Sequence, residues 1–320
     1  MRPTARDILR ARRTVAAVAR RTPLQHSAWL SGIAGRDVYL KLECWQRTNS
    51  FKVRGAYNAI AGLDEETRRR GLVTASAGNH GQAVALAARE FGARATIFVP
   101  LDAPETKKAR IRSFGGALRE TGDTYDEAAV AARTFAREED AHYVHAFSDP
   151  AVVAGQATVG LEILEELPDV GDVLVPVGGG GLVAGIGIAL RALAPDARTW
   201  GIQTTATSSM YDAFRAGGVV ESPVGATLCD GLAGEVEEAS YRRAREVVED
   251  MALVEEASVP RAIRELFRHE VVAAEGAGAV GIAALLNDAL ELGDAVSPIV
   301  VVVSGGNIDA RRLGRIFSED

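Results

Sequence analysis

Cysteine is almost missing from this chain. Its two residues in 320, Cys44 and Cys229, make neither a disulfide framework nor a zinc site. Long apolar runs are missing as well. The stretch from Ile299 to Val303 is among the longest, and it is far too short to cross a bilayer. The basic N-terminus is followed by no apolar segment, so no signal peptide is expected. No basic block stands out against a net charge of −7, which argues against binding nucleic acid through its phosphates. The five histidines make no convincing metal set. His142 and His145 share a strand-like segment, where their spacing would point them to opposite faces. There is no GxSxG elbow and no P-loop lysine. These absences leave a soluble, cytoplasmic enzyme of a reducing compartment, with a small-molecule substrate and no nucleic-acid or membrane partner.

What is present is an ordinary globular composition, 47% hydrophobic and 25% charged, with chain enough for one large domain or two smaller ones. Thr4 can cap a helix running to about Arg20. Val38 to Glu43 alternates as a strand, and Val53 to Gly62 is compatible with helix. Strand and helix signals then alternate: strands at 71–75, 95–99, 117–120 and from Tyr143, helices at 82–91, 105–114 and 125–140. This order predicts a parallel, doubly wound sheet. A second α/β region follows, with helices at 155–167, 182–194, 208–216, 241–251, 259–269 and 279–286. Its strands are expected at 172–177, 199–203 and 298–303. Residues 217–235 read as loop. Two α/β regions imply two lobes with a ligand cleft between them.

Four stretches carry chemistry. Lys52 stands between Phe51 and the start of a helix, where the positive end of the dipole disfavours an ammonium. A lowered pKa leaves the free amine that forms Schiff bases. Gly178, Gly179, Gly180 and Gly181 join a buried strand to a helix, and glycines there let backbone N–H groups converge on a phosphate. The same stretch fits a relaxed dinucleotide fingerprint, Gly179-x-Gly181-x-x-Ala184. The acid that should then end the next strand is replaced by Gln203. Ser76 to Gln82 occupies another strand-to-helix corner, whose N–H groups suit a carboxylate. Asn79 can donate to a phenolate oxygen. Ser304 follows a buried strand, and a hydroxyl facing a pyridine nitrogen leaves that ring neutral, a weaker electron sink suited to elimination. A Schiff-base lysine with a polar loop and a phosphate cradle describes a pyridoxal phosphate site.

Together, Ser50-Phe51-Lys52-x-Arg54-Gly55-Ala56, Ser76-Ala77-Gly78-Asn79-His80-Gly81-Gln82, the four glycines and Ser304-Gly305-Gly306-Asn307 resemble the fold-type II pyridoxal phosphate enzymes. The match is with the threonine/serine dehydratase and serine racemase branch, and it runs in order over nearly the whole chain. The resemblance implies a two-lobed α/β fold like the tryptophan synthase β subunit, with parallel twisted sheets. A small lobe at 65–147 would be inserted into a discontinuous large lobe of 1–64 plus 148–320. Lys52 would carry the cofactor and act as general acid and base, with Phe51 beside the ring and Asn79 at its phenolate oxygen. Gly178, Gly179, Gly180, Gly181 and Leu182 would hold the phosphate, and Ser304 the pyridine nitrogen. Glu275 matches a family glutamate near the cofactor. Ser76, Ala77, Asn79 and His80 would bind the substrate carboxylate. The implied reaction converts an L-β-hydroxy amino acid to a 2-oxo acid and ammonia, in a homodimer.

The sequence departs from the family pattern in three places. Ala77 stands where serine racemases carry a second serine, the acid/base for the opposite face of Cα, and this favours dehydration over racemisation. Gln203 replaces an acid that helps to hold a divalent ion, and neither Thr207 nor Ser209 restores a carboxylate, so no divalent metal site of that type is expected, while a monovalent ion bound by carbonyls stays open. The sequence ends soon after Ser304, so isoleucine feedback through a C-terminal regulatory domain is not expected. The substrates that fit best are L-threonine and L-serine. The alternatives are serine racemisation, another β-hydroxy amino acid such as 3-hydroxyaspartate or phenylserine, and a non-catalytic binding module.

Overall fold

Ile299, Val300, Val301 and Val302 are all fully buried, so the strand that they form must be covered on both faces. In the computed structural model, which describes residues 2–293 and 296–318, that is its situation. The strands in chain order are β1 (Leu24–His26), β2 (Val38–Lys41), β3 (Leu72–Ala75), β4 (Ala95–Val99), β5 (Ala117–Glu120), β6 (His142–Tyr143), β7 (Asp172–Pro176), β8 (Arg198–Thr204), β9 (Asp250–Val254) and β10 (Ile299–Val302). Six of them form one sheet in the order β1-β2-β10-β7-β8-β9, and four form a second in the order β5-β4-β3-β6. Every pairing is parallel except that of β1 with β2. The α/β, two-lobed, parallel expectation therefore holds, with one antiparallel strand added at an edge.

Side chains of the large sheet sort by parity, as the period of two requires. Val173, Val175, Val300 and Val302 enter the core on one face, beneath the helices Pro150–Glu166 and Gly181–Leu193. Leu174, Ile299, Val301 and Val303 enter the core on the other, beneath Val259–Glu270 and Gly276–Leu286. The small sheet is packed the same way, by Asn79–Glu90 on one face and Tyr125–Glu138 on the other.

Strand order decides where chemistry can sit. The last strand, β10, lies between β2 and β7, and all three run the same way. Their carboxyl ends therefore open together, as ligand sites in open α/β sheets require. The chain leaving β2 leads to Lys52, that leaving β7 to the four glycines, and that leaving β10 to Ser304.

Several expected elements are corrected. The first helix is Ala5–Val15, with Thr4 and Asp7 in a capping box, and it stops short of Arg20. The chain turns there because Val18 is buried in the core of the small sheet, while the Arg20 N–H donates to Gln46 Oε1 at 2.9 Å. The helix expected at 155–167 begins at Pro150, where Asp149 caps it by accepting from the Ala151 N–H at 2.7 Å. The helix expected at 241–251 is Glu238–Val247, and Met251 belongs instead to β9, a strand not foreseen. A short apolar run of this kind does not distinguish strand from buried helix. Likewise β6 ends at Tyr143, so His145 lies in the following loop rather than on a strand with His142.

Candidate active site

Lys52 is the first residue of the helix Lys52–Ala61. Its half-buried Nζ donates to the Ala146 carbonyl at 3.0 Å and stands 5.3 Å from the centre of the Phe51 ring. Burial lowers its pKa to about 8, against the opposing pull of Glu275. The amine is thus closer to its neutral, nucleophilic form than an exposed lysine.

The helix is fixed from below by buried charge. Arg54 reaches Glu43 through Nη2 and Nε at 2.7 and 2.8 Å, and Glu162 through Nη1 and Nη2, both at 2.8 Å. Lys41 donates to Glu162 at 2.8 Å and to the Thr22 carbonyl at 2.7 Å. Glycines let the helices approach: a Cβ on Gly155 would stand 2.6 Å from the Arg54 carbonyl oxygen.

Gly178 to Gly181 lead from β7 into the helix Gly181–Leu193. None of the backbone N–H groups of residues 178–182 reaches an acceptor among the described residues. Gly180 has φ +86°, a left-handed conformation that glycine adopts without cost. A Cβ on Gly179 would stand 2.5 Å from the Phe147 ring, so a side chain there would displace the wall of the cradle. Convergent free donors at a helix N-terminus are what a phosphate needs.

The corner after β3 is built alike. The N–H groups of Ala77, Asn79, His80 and Gly81 are also untaken among the described residues, and Ser76 Oγ accepts from the Gly78 N–H at 3.1 Å. Asn79 Nδ2 donates to Glu275 Oε1 at 2.6 Å, and Asn79 Oδ1 accepts from Asn307 Nδ2 at 2.6 Å. Burial pushes the Glu275 carboxyl up to about 7, with Asn79 pulling it back. His80 faces away: its Nε2 meets the Val144 carbonyl at 3.0 Å, and burial, reinforced by Lys52, drops its pKa to about 3. The imidazole is therefore neutral, and the residue contributes its backbone rather than its ring. Ser304 is buried, and its carbonyl accepts from the Phe51 N–H at 3.1 Å. The arrangement brings Lys52, Phe51, Asn79, Glu275 and Ser304 into one connected set, with the glycine cradle joined to it through residues 146 and 147.

Gln203 is buried and its Oε1 accepts from the Tyr211 N–H at 2.8 Å. The end it leaves without a partner is the NH₂ group, which cannot ligate a cation. No group of three or more His, Cys, Asp or Glu side chains suited to a metal occurs among the described residues.

The donor set fits pyridoxal phosphate: an amine of lowered pKa, free N–H groups for a dianion, and a hydroxyl at a strand end. A family model described as pyridoxal-phosphate dependent enzyme matches residues 15–305. The chain belongs to this family. Its cofactor is accordingly pyridoxal phosphate. The chain is 44% identical to an L-threonine ammonia-lyase of Thermotoga maritima, over 99% of its own length and 78% of that protein. Maize serine racemase superposes with a TM-score of 0.95 at 31% identity, covering 100% of this chain and 98% of that one. The processed threonine deaminase isoform 2 of Solanum lycopersicum does so with a TM-score of 0.90 at 32% identity, covering 99% and 89%. The fold is thus that of the fold-type II enzymes.

Sequence reasoning missed several supporting residues. Asn307, at the end of the Ser304–Asn307 stretch, takes no role from its sequence context, yet it ties Asn79 to the Thr48 carbonyl, to which it donates at 2.8 Å. Ala146 and Phe147 carry no motif at all. Nothing in an alanine marks it as lying against a lysine 94 residues away in sequence, nor a lone phenylalanine as backing a glycine turn.

Proposed function

We propose that this chain is an ammonia-lyase that converts an L-β-hydroxy amino acid, L-threonine or L-serine, to the 2-oxo acid and ammonia. The observation that carries the reading is the half-buried Lys52 amine, brought near neutrality beside Glu275 and Asn79. The likeness to a threonine ammonia-lyase over nearly the full chain supports the choice of substrate.

Bound pyridoxal phosphate supplies an electron sink that acidifies the substrate Cα–H. The chain's residues do the rest. The free N–H groups of 178–182 would hold the phosphate, with Phe51 beside the ring, Asn79 at its phenolate oxygen and Ser304 at its nitrogen. The N–H groups of the loop from Ser76 to Gly81 hold the substrate carboxylate. The Lys52 amine would take the Cα proton, a task suited to an amine whose pKa lies near the working pH. The β-hydroxyl would leave from the adjacent carbon as water, carrying the proton that Lys52 took from Cα, and a second water would hydrolyse the dehydrated product to the 2-oxo acid and ammonia. The small lobe at 65–147, set into 1–64 plus 148–320, is part of the same proposal; residues 1, 294, 295, 319 and 320 lie outside the described residues. So are a homodimer and a cytoplasmic setting, the latter supported by two buried free thiols. No helix among the described residues is long and apolar enough to cross a membrane.

Serine racemisation is the second reading, favoured by the likeness to maize serine racemase. Against it stands Ala77, which offers no hydroxyl at the position where serine racemases carry their second serine. Product analysis decides between them. The purified, cofactor-loaded protein is incubated with L-threonine and with L-serine, following 2-oxo acid and D-amino acid, with Lys52→Ala as the control. Oxo acid without D-amino acid, lost in the control, is the expected result. D-serine as the main product would overturn the lyase reading. Neither product would shift the substrate to 3-hydroxyaspartate or phenylserine, and failure across that panel would leave a binding module.

A further inference from the structure

Residues 145–148 touch two parts of the site at once. The Ala146 carbonyl receives the Lys52 amine at 3.0 Å. Phe147 backs the glycine cradle: a Cβ on Gly181 would stand 3.0 Å from its Cα, and one on Gly179 would meet its ring. The stretch belongs to no regular element, since β6 ends at Tyr143 and the next helix begins at Pro150. Something else must set its shape.

That something is the His145 ring. Its Nδ1 accepts from the N–H groups of Phe147 and Ser148, at 3.3 and 3.0 Å. Two donors aimed at Nδ1 assign the ring proton to Nε2, which lies 3.0 Å from Glu237 Oε1 and donates to it. The other Glu237 oxygen accepts from the Ser148 hydroxyl. Ser148 Oγ also meets Ser240 Oγ at 3.0 Å, and the Ser148 carbonyl accepts from Arg243 Nη2 at 2.6 Å. Glu237 is the N-cap position of the helix Glu238–Val247, yet its side chain does not cap that helix. It is turned to the loop instead.

We infer that His145, held by Glu237, is a positioning residue for the cofactor: it fixes the loop that both orients the Lys52 amine and closes the phosphate cradle. This rests on the roles proposed above for Lys52 and the glycines. The clamp needs a neutral imidazole, because an Nδ1–H would oppose two backbone N–H groups. Burial lowers the pKa of His145, Glu237 opposes this, and Arg133 and Lys52 add to the lowering. The Tyr143 and Phe147 rings complete its surroundings, and His80, itself neutral, lies in the same electrostatic neighbourhood. The clamp is therefore intact at neutral pH and lost as pH falls through the lowered value.

The test titrates cofactor-free protein with pyridoxal phosphate and follows binding by absorbance from neutral to acid pH. His145→Ala should weaken binding at neutral pH about tenfold, the scale of two lost hydrogen bonds. His145→Asn keeps an oxygen that accepts from the N–H groups two and three residues on but cannot be protonated. It should hold affinity within about twofold of the parent and lose the parent's added weakening at acid pH. Parent-like affinity in His145→Ala at neutral pH would overturn the inference. So would a His145→Asn pH profile that parallels the parent, and that profile decides alone if His145→Ala does not fold. Borohydride fixation in Lys52→Ala keeps the two readings apart. Cofactor still fixed to the chain in that variant would overturn the site assignment, whereas an unaltered His145→Ala overturns only the clamp.

Discussion

Replacing Arg54 by methionine tests whether the helix that delivers Lys52 is held by buried charge. Arg54, Lys41, Glu43 and Glu162 are all buried, and they form a balanced set of two cations and two carboxylates. Burial alone disfavours the Arg54 charge, but both carboxylates hold it firmly protonated. Methionine keeps much of the volume and removes one positive charge. Glu43 is then left with the Thr22 hydroxyl at 2.5 Å and Gln46 Nε2 at 3.3 Å, and with no cation partner among the described residues. Removing one partner of a buried pair costs about 3–5 kcal/mol, because the abandoned charge stays desolvated. At about 2–4 °C per kcal/mol for a large domain, the melting temperature should fall by about 6–20 °C. Calorimetry on cofactor-free protein measures this directly. Adding Glu43→Gln restores neutrality, leaving Lys41 paired with Glu162, and should recover about half of the loss. The recovery matters more than the loss, since a pure packing defect would not be repaired by removing a carboxylate. A single variant melting within about 2 °C of the parent would refute the reasoning. So would a double variant less stable than the single one.

Two further outcomes follow from the same geometry. Gly179→Ala should weaken pyridoxal phosphate binding by at least about tenfold in an equilibrium titration, because its Cβ would meet the Phe147 ring at 2.5 Å; a smaller side chain at 147, as in Phe147→Ala, should restore part of it. Stability should fall on acidification as pH drops from about 6.5, the ordinary histidine value, towards the value of about 3 that burial gives His80. In that window the unfolded chain binds a proton that the folded one refuses, so the group's stabilisation is present above the window and lost through it. The slope is up to about 1.4 kcal/mol per pH unit for one such group, and urea midpoints over a pH series should flatten in His80→Gln.

The parts of the fold legible in the sequence are those whose signal is local. The buried runs of β7 and β10 and the glycine stops around the small sheet's helices announce themselves by composition. The strand β9 did not, because Met251 to Val254 follow a helical stretch without a turn residue to separate them. Nor did the helix start at Pro150, although Asp149-Pro150 is a capping signal. The first helix ends before Arg20 for a different reason. Its end is dictated by where Val18 must be buried, and that is a property of the small sheet's core, not of residues 5–20.

The candidate site divides along the same line. Residues that would touch the cofactor sit at carboxyl ends of strands, where the backbone conformation demands glycine and the chemistry demands a lysine, an amide or a hydroxyl. Those demands leave motifs. The residues that hold the motifs in place leave none, because their partners come from elsewhere in the chain. Glu43 and Glu162 read as ordinary charged positions until Arg54 stands between them, 11 residues from one and 108 from the other. His145 and Glu237 are separated by 92 residues, and neither position has a sequence context that predicts a hydrogen bond. A buried charge needs its partner and a buried loop needs its acceptor, so such residues must exist wherever a motif is displayed on irregular backbone. That requirement can be stated from sequence alone, but the identity of the residues that meet it is fixed only by strand order. Here it is the insertion of β10 between β2 and β7 that brings the Lys52, glycine and Ser304 segments to one edge. A chain in which β10 paired elsewhere would carry every motif and no site.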